Sequence, residues 1–274
     1  MTAIDPREVS VLTFPLPEDY SLPDNEVHIW QTRLDLSYDR IEGLREILSI
    51  DERQRADRFN FDRDRKRHII ARGLLRLVVA RLSNTSPELL KITSTSHGKP
   101  HLLHDVRQPR IEFNISHSGE LICVVIANSR AVGIDVEKVR NDFPVEMIAR
   151  GAFSTVEFDE LMALDPALRL DSFFTCWTRK EAWFKAKGEG LSALLDRCGK
   201  SLFGQLPMPI SLANLEANPV ANWTLLDLQV DTGYKAAVVF EGTDCRVRRW
   251  KWPQLEHEAI RRPKSRAAAS PTAS

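Results

Sequence analysis

Residues 173–190 constrain this chain more than any other stretch. They read Phe-Phe-Thr-Cys-Trp-Thr-Arg-Lys-Glu-Ala-Trp-Phe-Lys-Ala-Lys-Gly-Glu-Gly, with neither proline nor glycine before Gly188. Phe173, Trp177 and Phe184 stand at i, i+4 and i+11, one stripe of an α-helix. Glu181 and Lys185 are four apart and stack beside that stripe. Gly188 and Gly190 end the helix where a C-terminal cap belongs. Two readings are open for Glu181. It belongs to a salt-bridged amphipathic core helix, or it is a carboxylate held among Trp177, Trp183 and a phenylalanine for a chemical purpose.

Composition excludes several classes. The chain has 274 residues, 43% apolar and 28% charged, a soluble globular profile of one or two domains. Lys+Arg and Asp+Glu both number 38, so no global field draws it to nucleic acid or an anionic membrane. Cys123, Cys176, Cys198 and Cys245 are far apart with no Cys-x-x-Cys pair. This argues against a zinc site or disulfide framework and suits a reducing compartment. The N-terminus is polar and no apolar run approaches membrane-spanning length. A cytoplasmic protein is expected.

In chain order, Pro15, Pro17 and Pro23 mark residues 1–26 as an irregular lead-in. Val27–Leu34 alternates as a strand and Ile41–Leu48 forms a short helix. Residues 51–81 hold ten basic against five acidic side chains, +5 in a chain of zero net charge. Ile69, Ile70, Gly73, Leu74, Leu77 and Val78 give helical periodicity from about Arg65 to Leu82. The segment is either an ion-paired helix or an anion site built on arginine forks. Gly98-Lys99-Pro100 presents a lysine on a turn. Ile111–Ile115 alternates as a strand and runs into Ser116-His117-Ser118-Gly119, and Leu121–Ala127 is a buried strand.

Val132-Gly133-Ile134-Asp135-Val136-Glu137 follows the turn at 128–130. Period two puts Ile134 and Val136 on one face, Asp135 and Glu137 on the other. Neighbouring same-face carboxylates repel unless a cation lies between them, and a hard divalent ion such as Mg2+ suits them. The alternative is an edge strand with a solvated acidic face. Further on, Phe153-Ser154 starts a helix, Pro207, Pro209 and Pro219 mark a connection, and strands follow at Trp223–Val230 and Tyr234–Phe240.

Helix, strand, turn, apolar strand thus occurs twice, near residues 70–127 and 180–240, which predicts two similar halves. The expected fold class is α+β, divided as lead-in 1–26, N-terminal half 27–140, C-terminal half 141–253 and tail 254–274. From about Arg261 the tail has no apolar periodicity and is expected to be disordered.

Four motifs stand in order: Gly98-Lys99-Pro100; Phe113-Asn114-Ile115-Ser116-His117-Ser118; Gly133-Ile134-Asp135-Val136-Glu137; and Trp177-x-x-Lys180-Glu181-Ala182-x-x-Lys185. With them the chain resembles the Sfp-type 4′-phosphopantetheinyl transferases whose last motif reads Trp-x-x-Lys-Glu-Ala. The resemblance runs from about Glu52 to Phe240. It implies two similar α/β halves in one monomeric chain, related by a pseudo-twofold, with coenzyme A in the cleft between them. It also implies a reaction. A serine of an apo acyl or peptidyl carrier protein attacks the β-phosphate of coenzyme A, takes the phosphopantetheine arm and releases adenosine 3′,5′-bisphosphate.

The resemblance implies roles for individual residues. Asp135, Glu137 and Glu181 match the family's Mg2+ ligands, and Lys185 matches the lysine that assists the leaving phosphate. Glu181 is a candidate base for the serine, directly or through water on the metal. Lys99, Ser116 and His117 match residues that grip the 3′-phosphate and pyrophosphate. Arg55 and His68 align with further coenzyme A contacts. Glu52 stands where a basic residue is common in the family, so Arg63 and Arg72 are the candidates to replace that contact. Two rival readings keep the same residues: a coenzyme A-binding module without catalysis, and a metal-dependent phosphohydrolase. The motifs do not distinguish fatty-acid, polyketide and nonribosomal-peptide carriers.

Overall fold

In the computed structural model, residues 11–13, 20–94, 100–103, 110–188 and 223–252 are described. Most of the lead-in, Lys99, Gly190, Cys198, the proline-rich connection and the tail lie outside them.

The first half begins with β2 (Glu26–Arg33), preceded by β1 (Val11–Thr13), a strand within the lead-in that was expected to be irregular. Helices α1 (Tyr38–Glu46), α2 (Ile50–Asp57) and α3 (Asp62–Leu82) follow, then the short hairpin β3 (Ile92–Ser94) and β4 (Pro100–Leu102), then β5 (Ile111–Ser118) and β6 (Leu121–Asn128). The charge-dense segment is therefore two helices, not one beginning near residue 65. Ser49 starts α2 with a capping box, its hydroxyl accepting from Glu52 N while the Glu52 carboxylate accepts from Ser49 N.

The second half is β7 (Val132–Lys138), α4 (Val145–Ala152), α5 (Thr155–Ala163), α6 (Pro166–Lys187), β8 (Trp223–Asp227) and β9 (Tyr234–Glu241). Ser154 and Glu157 repeat the capping box at the start of α5. The organising helix is longer than its stripe indicates. Asp165 caps it by accepting from Ala167 N, and Pro166 occupies the first turn, where a missing N–H does no harm. It ends at Gly188, whose φ of 72° is the left-handed cap that glycine adopts without strain.

A five-stranded sheet has the order β1-β10-β2-β6-β5, where β10 is Arg246–Lys251, and a three-stranded sheet has the order β7-β9-β8. β2 pairs antiparallel with β6, and β6 with β5; β7 pairs antiparallel with β9, and β9 with β8. Strand, helices, long helix and hairpin thus recur with one strand order, which carries the expected twofold repeat into topology. A division at residue 140 does not follow the sheets. β7 pairs in the second sheet, and β10, from beyond the second hairpin, returns to the first beside β2.

Three cores stack the layers. Helices α1–α3 cover one face of the large sheet through Leu44, Ile70, Leu74 and Val78 against Trp30, Phe113 and Val124. The sheets meet through Ile29, Val125, Ile134, Val136, Val238 and Phe240. Helices α4–α6 cover the outer face of the small sheet through Phe173, Trp183, Phe184, Leu225 and Val239. Ile134 and Val136 accordingly lie between the sheets, which turns the alternate residues 133, 135 and 137 toward α6.

Candidate active site

The meeting of β7 with α6 begins at Gly133. A Cβ there would stand 2.1 Å from Ala182 O and 2.3 Å from Ala186 N, so only glycine lets strand and helix backbones approach so closely. Ala182 and Ala186 are small for the same reason. The approach lays the carboxylate face of β7 against the face of α6 that carries Glu181 and Lys185.

Asp135 is 2% exposed, so it is no solvated edge residue. Its Oδ1 accepts from Lys185 Nζ at 2.6 Å and from Ser116 Oγ at 2.8 Å, while Oδ2 is buried with no partner among the described residues. Glu137 accepts from Ser118 Oγ at 2.6 Å. Burial raises the Glu137 pKa and Asp135 adds to the rise, against a lowering by the Ser118 hydrogen bond. Burial likewise raises Glu181; Lys185 opposes this, and Asp135 and Glu137 reinforce it. The three acids therefore feel one another across one small region, with Lys185 among them. Among the described residues they do not close into a cluster of three or more metal-binding side chains.

Lys180 and Trp177 of the fourth motif face away from this region. Lys180 is buried and donates to Glu157 Oε2 at 2.6 Å, tying α6 to the capping box of α5. Trp177 stacks on Phe173 with ring centroids 5.8 Å apart. One motif thus divides into a packing face and a reactive face.

The basic segment gathers around Glu52. This acid, anomalous by resemblance, is 8% exposed; its Oε2 accepts from Arg76 Nε at 2.5 Å, and Arg72 Nε lies 3.9 Å from its Oε1. The charge of Arg72 is partly committed there, although its Nη1 is buried without a partner among the described residues. His68 Nε2 lies 3.1 Å from Glu52 O, which can only accept, so Nε2 carries the proton. Burial, then Arg72, with Arg55 also contributing, lowers the His68 pKa to about 4. Arg55 lines an open recess with Arg58 and Phe59. Arg63 stands apart, paired with Glu120 at 2.6 Å.

His117 lies between the two regions. Its surface is exposed, yet protein atoms crowd the ring enough to lower its pKa, and the charges of Arg67 and Lys185 lower it further. Arg67 escaped the sequence reading. It donates to Asp64 Oδ1 at 2.7 Å and to Gly119 O at 3.2 Å, joining α3 to the β5–β6 turn. Asn114 and Ser118 stand in the second motif, but neither received a role from the sequence, although the period-two pattern Asn-x-Ser-x-Ser was visible. The structure thus brings Ser116, Asp135, Glu137, Glu181 and Lys185 together, and groups Arg55, His68 and Arg72 along α2 and α3, while His117, on the other face of β5 from Ser116, feels the charges of Arg67 and Lys185.

Two family profiles divide the chain between residues 130 and 131. A family profile described as 4′-phosphopantetheinyl transferase, N-terminal, matches residues 36–130, and one described as 4′-phosphopantetheinyl transferase superfamily matches 131–239. The chain is 33% identical over 238 residues to the 4′-phosphopantetheinyl transferase HetI of Nostoc sp., covering 87% of this chain and 97% of that one. It is 31% identical over 205 residues to the 4′-phosphopantetheinyl transferase Sfp of Bacillus subtilis, covering 74% and 86%. It is 29% identical over 221 residues to the human L-aminoadipate-semialdehyde dehydrogenase-phosphopantetheinyl transferase, covering 75% and 71%. With a doubled fold, acids and lysine gathered where its halves meet, and relatives matched over most of their length, the chain belongs to the 4′-phosphopantetheinyl transferase family.

Proposed function

We propose that this chain transfers the 4′-phosphopantetheine arm of coenzyme A to a serine of apo carrier proteins, with Asp135, Glu137 and Glu181 holding Mg2+ and Lys185 assisting phosphoryl transfer. The observation that carries this reading is the gathering of three acids and a lysine at the contact made by Gly133. The donor set fits a hard cation. All three are carboxylates, Asp135 Oδ2 is buried and unpartnered among the described residues, and both glutamates resist ionisation without a positive neighbour. When bound, Mg2+ neutralises charge on the pyrophosphate oxygens.

The chain's own residues supply positioning and proton transfer. The carrier serine Oγ forms a bond to the β-phosphorus as the bond to the bridging oxygen breaks, and adenosine 3′,5′-bisphosphate departs. Glu181 is the acceptor proposed for the serine proton. Lys185, an ammonium with three donors, stabilises the leaving phosphate. His117 and Ser116 line the phosphate path, Lys99 joins them on the resemblance alone, and Arg55 and Arg72 offer donors to the adenosine phosphates. His68, neutral with its one N–H given to Glu52 O, stays a coenzyme A contact without a proton to donate. Arg63 is the weaker candidate, because Glu120 already engages it. Acyl and peptidyl carriers of fatty-acid, polyketide or nonribosomal-peptide synthesis are the partners this chemistry fits, in a cytoplasmic setting. Among the described residues no helix is long and apolar enough to cross a membrane.

The test is to incubate the protein with coenzyme A, Mg2+ and a panel of apo carriers and to weigh each carrier. A mass gain of one phosphopantetheine supports transfer; adenosine bisphosphate release with unmodified carrier indicates the hydrolase; binding alone indicates the inert module. Asp135→Asn should lower transfer on the order of a hundredfold, because it removes one of few protein ligands to a cation that positions the substrate. Transfer at the parent rate with unchanged Mg2+ dependence would remove Asp135 from the site.

A further inference from the structure

β5 and β7 lie in different sheets, and no backbone ladder joins them. A column of side chains takes its place. Asn114 Oδ1 accepts from Ile134 N at 3.0 Å, Ser116 Oγ from Val136 N at 3.3 Å, and Ser118 Oγ from Lys138 N at 3.0 Å. The offset is 20 residues each time, so the strands run in the same direction with side-chain and backbone periods matched.

The choice of residue along this column follows the chemistry of β7. A backbone N–H can only donate, so each serine oxygen accepts from it and the single hydroxyl proton is left to point elsewhere. Ser116 gives its proton to Asp135 Oδ1 at 2.8 Å, and Ser118 gives its proton to Glu137 Oε2 at 2.6 Å. Opposite Asn114 the corresponding β7 residue is Gly133, which has no side chain to receive a proton, and there an amide oxygen that only accepts suffices. We propose that Asn114, Ser116 and Ser118 act as a side-chain strand that sets the register of β7, and that Ser118 is a positioning residue aiming the Glu137 carboxylate. This rests on the reading of Glu137 as a metal ligand given above, to which it adds Ser118.

Hydrogen bonds of this kind orient a ligand and leave its other oxygen for the ion; losing them typically weakens metal binding about 10- to 100-fold. Ser118→Ala removes the proton donor, and Ser118→Thr retains it. The probe is Mn2+, titrated into the parent and both variants and followed by electron paramagnetic resonance. Melting curves and the Mg2+ dependence of transfer are recorded in parallel. The expected result is Mn2+ affinity lowered at least about tenfold in Ser118→Ala and restored in Ser118→Thr. The Mg2+ requirement for transfer should rise while the KM for coenzyme A holds. Parent-like Mn2+ affinity in folded Ser118→Ala, with only a lower melting temperature, would overturn the positioning role. A parent that transfers the arm yet binds no Mn2+ would overturn the ligand assignment beneath it, a result distinct from failure of Ser118 alone.

Discussion

At the scale of single residues, the site works by placing buried charge where its partners are few. Lys185 alone among the described cations donates to Asp135, while Glu137 and Glu181 are held above the ordinary carboxylate range by burial. His68 shows the converse at the basic end. Half-buried beside Arg72 and Arg55, it stays neutral in the folded chain down to about pH 4, against an ordinary value of 6.5. Between those values the unfolded chain binds a proton that the native one refuses. The His68 contribution to stability is therefore fully present above pH 6.5 and lost as pH falls toward 4. An NMR titration should place the His68 midpoint near 4, and His68→Gln should flatten the fall in denaturant stability over this window. A midpoint near 6.5 would show the ring to be freely solvated.

At the scale of elements, the two long helices are anchored by one device used twice. In each half a short helix opens with Ser-x-x-Glu, and the glutamate both completes the capping box and pairs with a buried cation of the long helix. Glu52 pairs with Arg76 of α3, and Glu157 with Lys180 of α6. Glu52 is thereby explained by structure, since a cation at that position would face Arg76. The β7–α6 contact depends on a different device, the absent side chain of Gly133. Gly133→Ala must push a Cβ against the backbone of α6, which has no flexible end to yield. Overpacking of this kind costs about 1–3 kcal/mol. It also shifts Glu181 and Lys185 relative to Asp135, and misplacement by about 1 Å costs on the order of a hundredfold in rate. Thermal melting and single-turnover transfer should both fall in this variant. Parent-like turnover would mean that the close approach does not set the geometry of the acids.

At the scale of the molecule, the two halves share a strand order but not a task. Asp135 and Glu137 lie on β7, while its counterpart β2 carries a buried His28–Glu26 pair that supports the large sheet. The halves are held together by the inter-sheet core, by the return of β10 to β2, and by Asp231, which accepts from Gln31 and Arg33 across the junction. Because β5, β7 and α6 of one chain supply the site, a monomer should be active. Light scattering at working concentration should give the mass of one chain, with transfer proportional to protein. An obligate oligomer that loses transfer on dissociation would contradict this.

Local pattern was enough to expose the repeat, the two faces of β7, the α6 stripe and its glycine cap. Each follows from a period of 2 or 3.6 residues and needs no partner to be seen. The acids and Lys185 were legible because their spacing and order match known motifs. Only the tertiary structure decided what Glu52 does, that Arg63 pairs with Glu120, that β10 joins the first sheet, and that Ser118 faces Glu137. These contacts join residues far apart in the chain or on separate elements, where no local period connects them. The hydroxyl of Ser118 has no assigned direction until Lys138 N takes its lone pair and leaves its proton to Glu137.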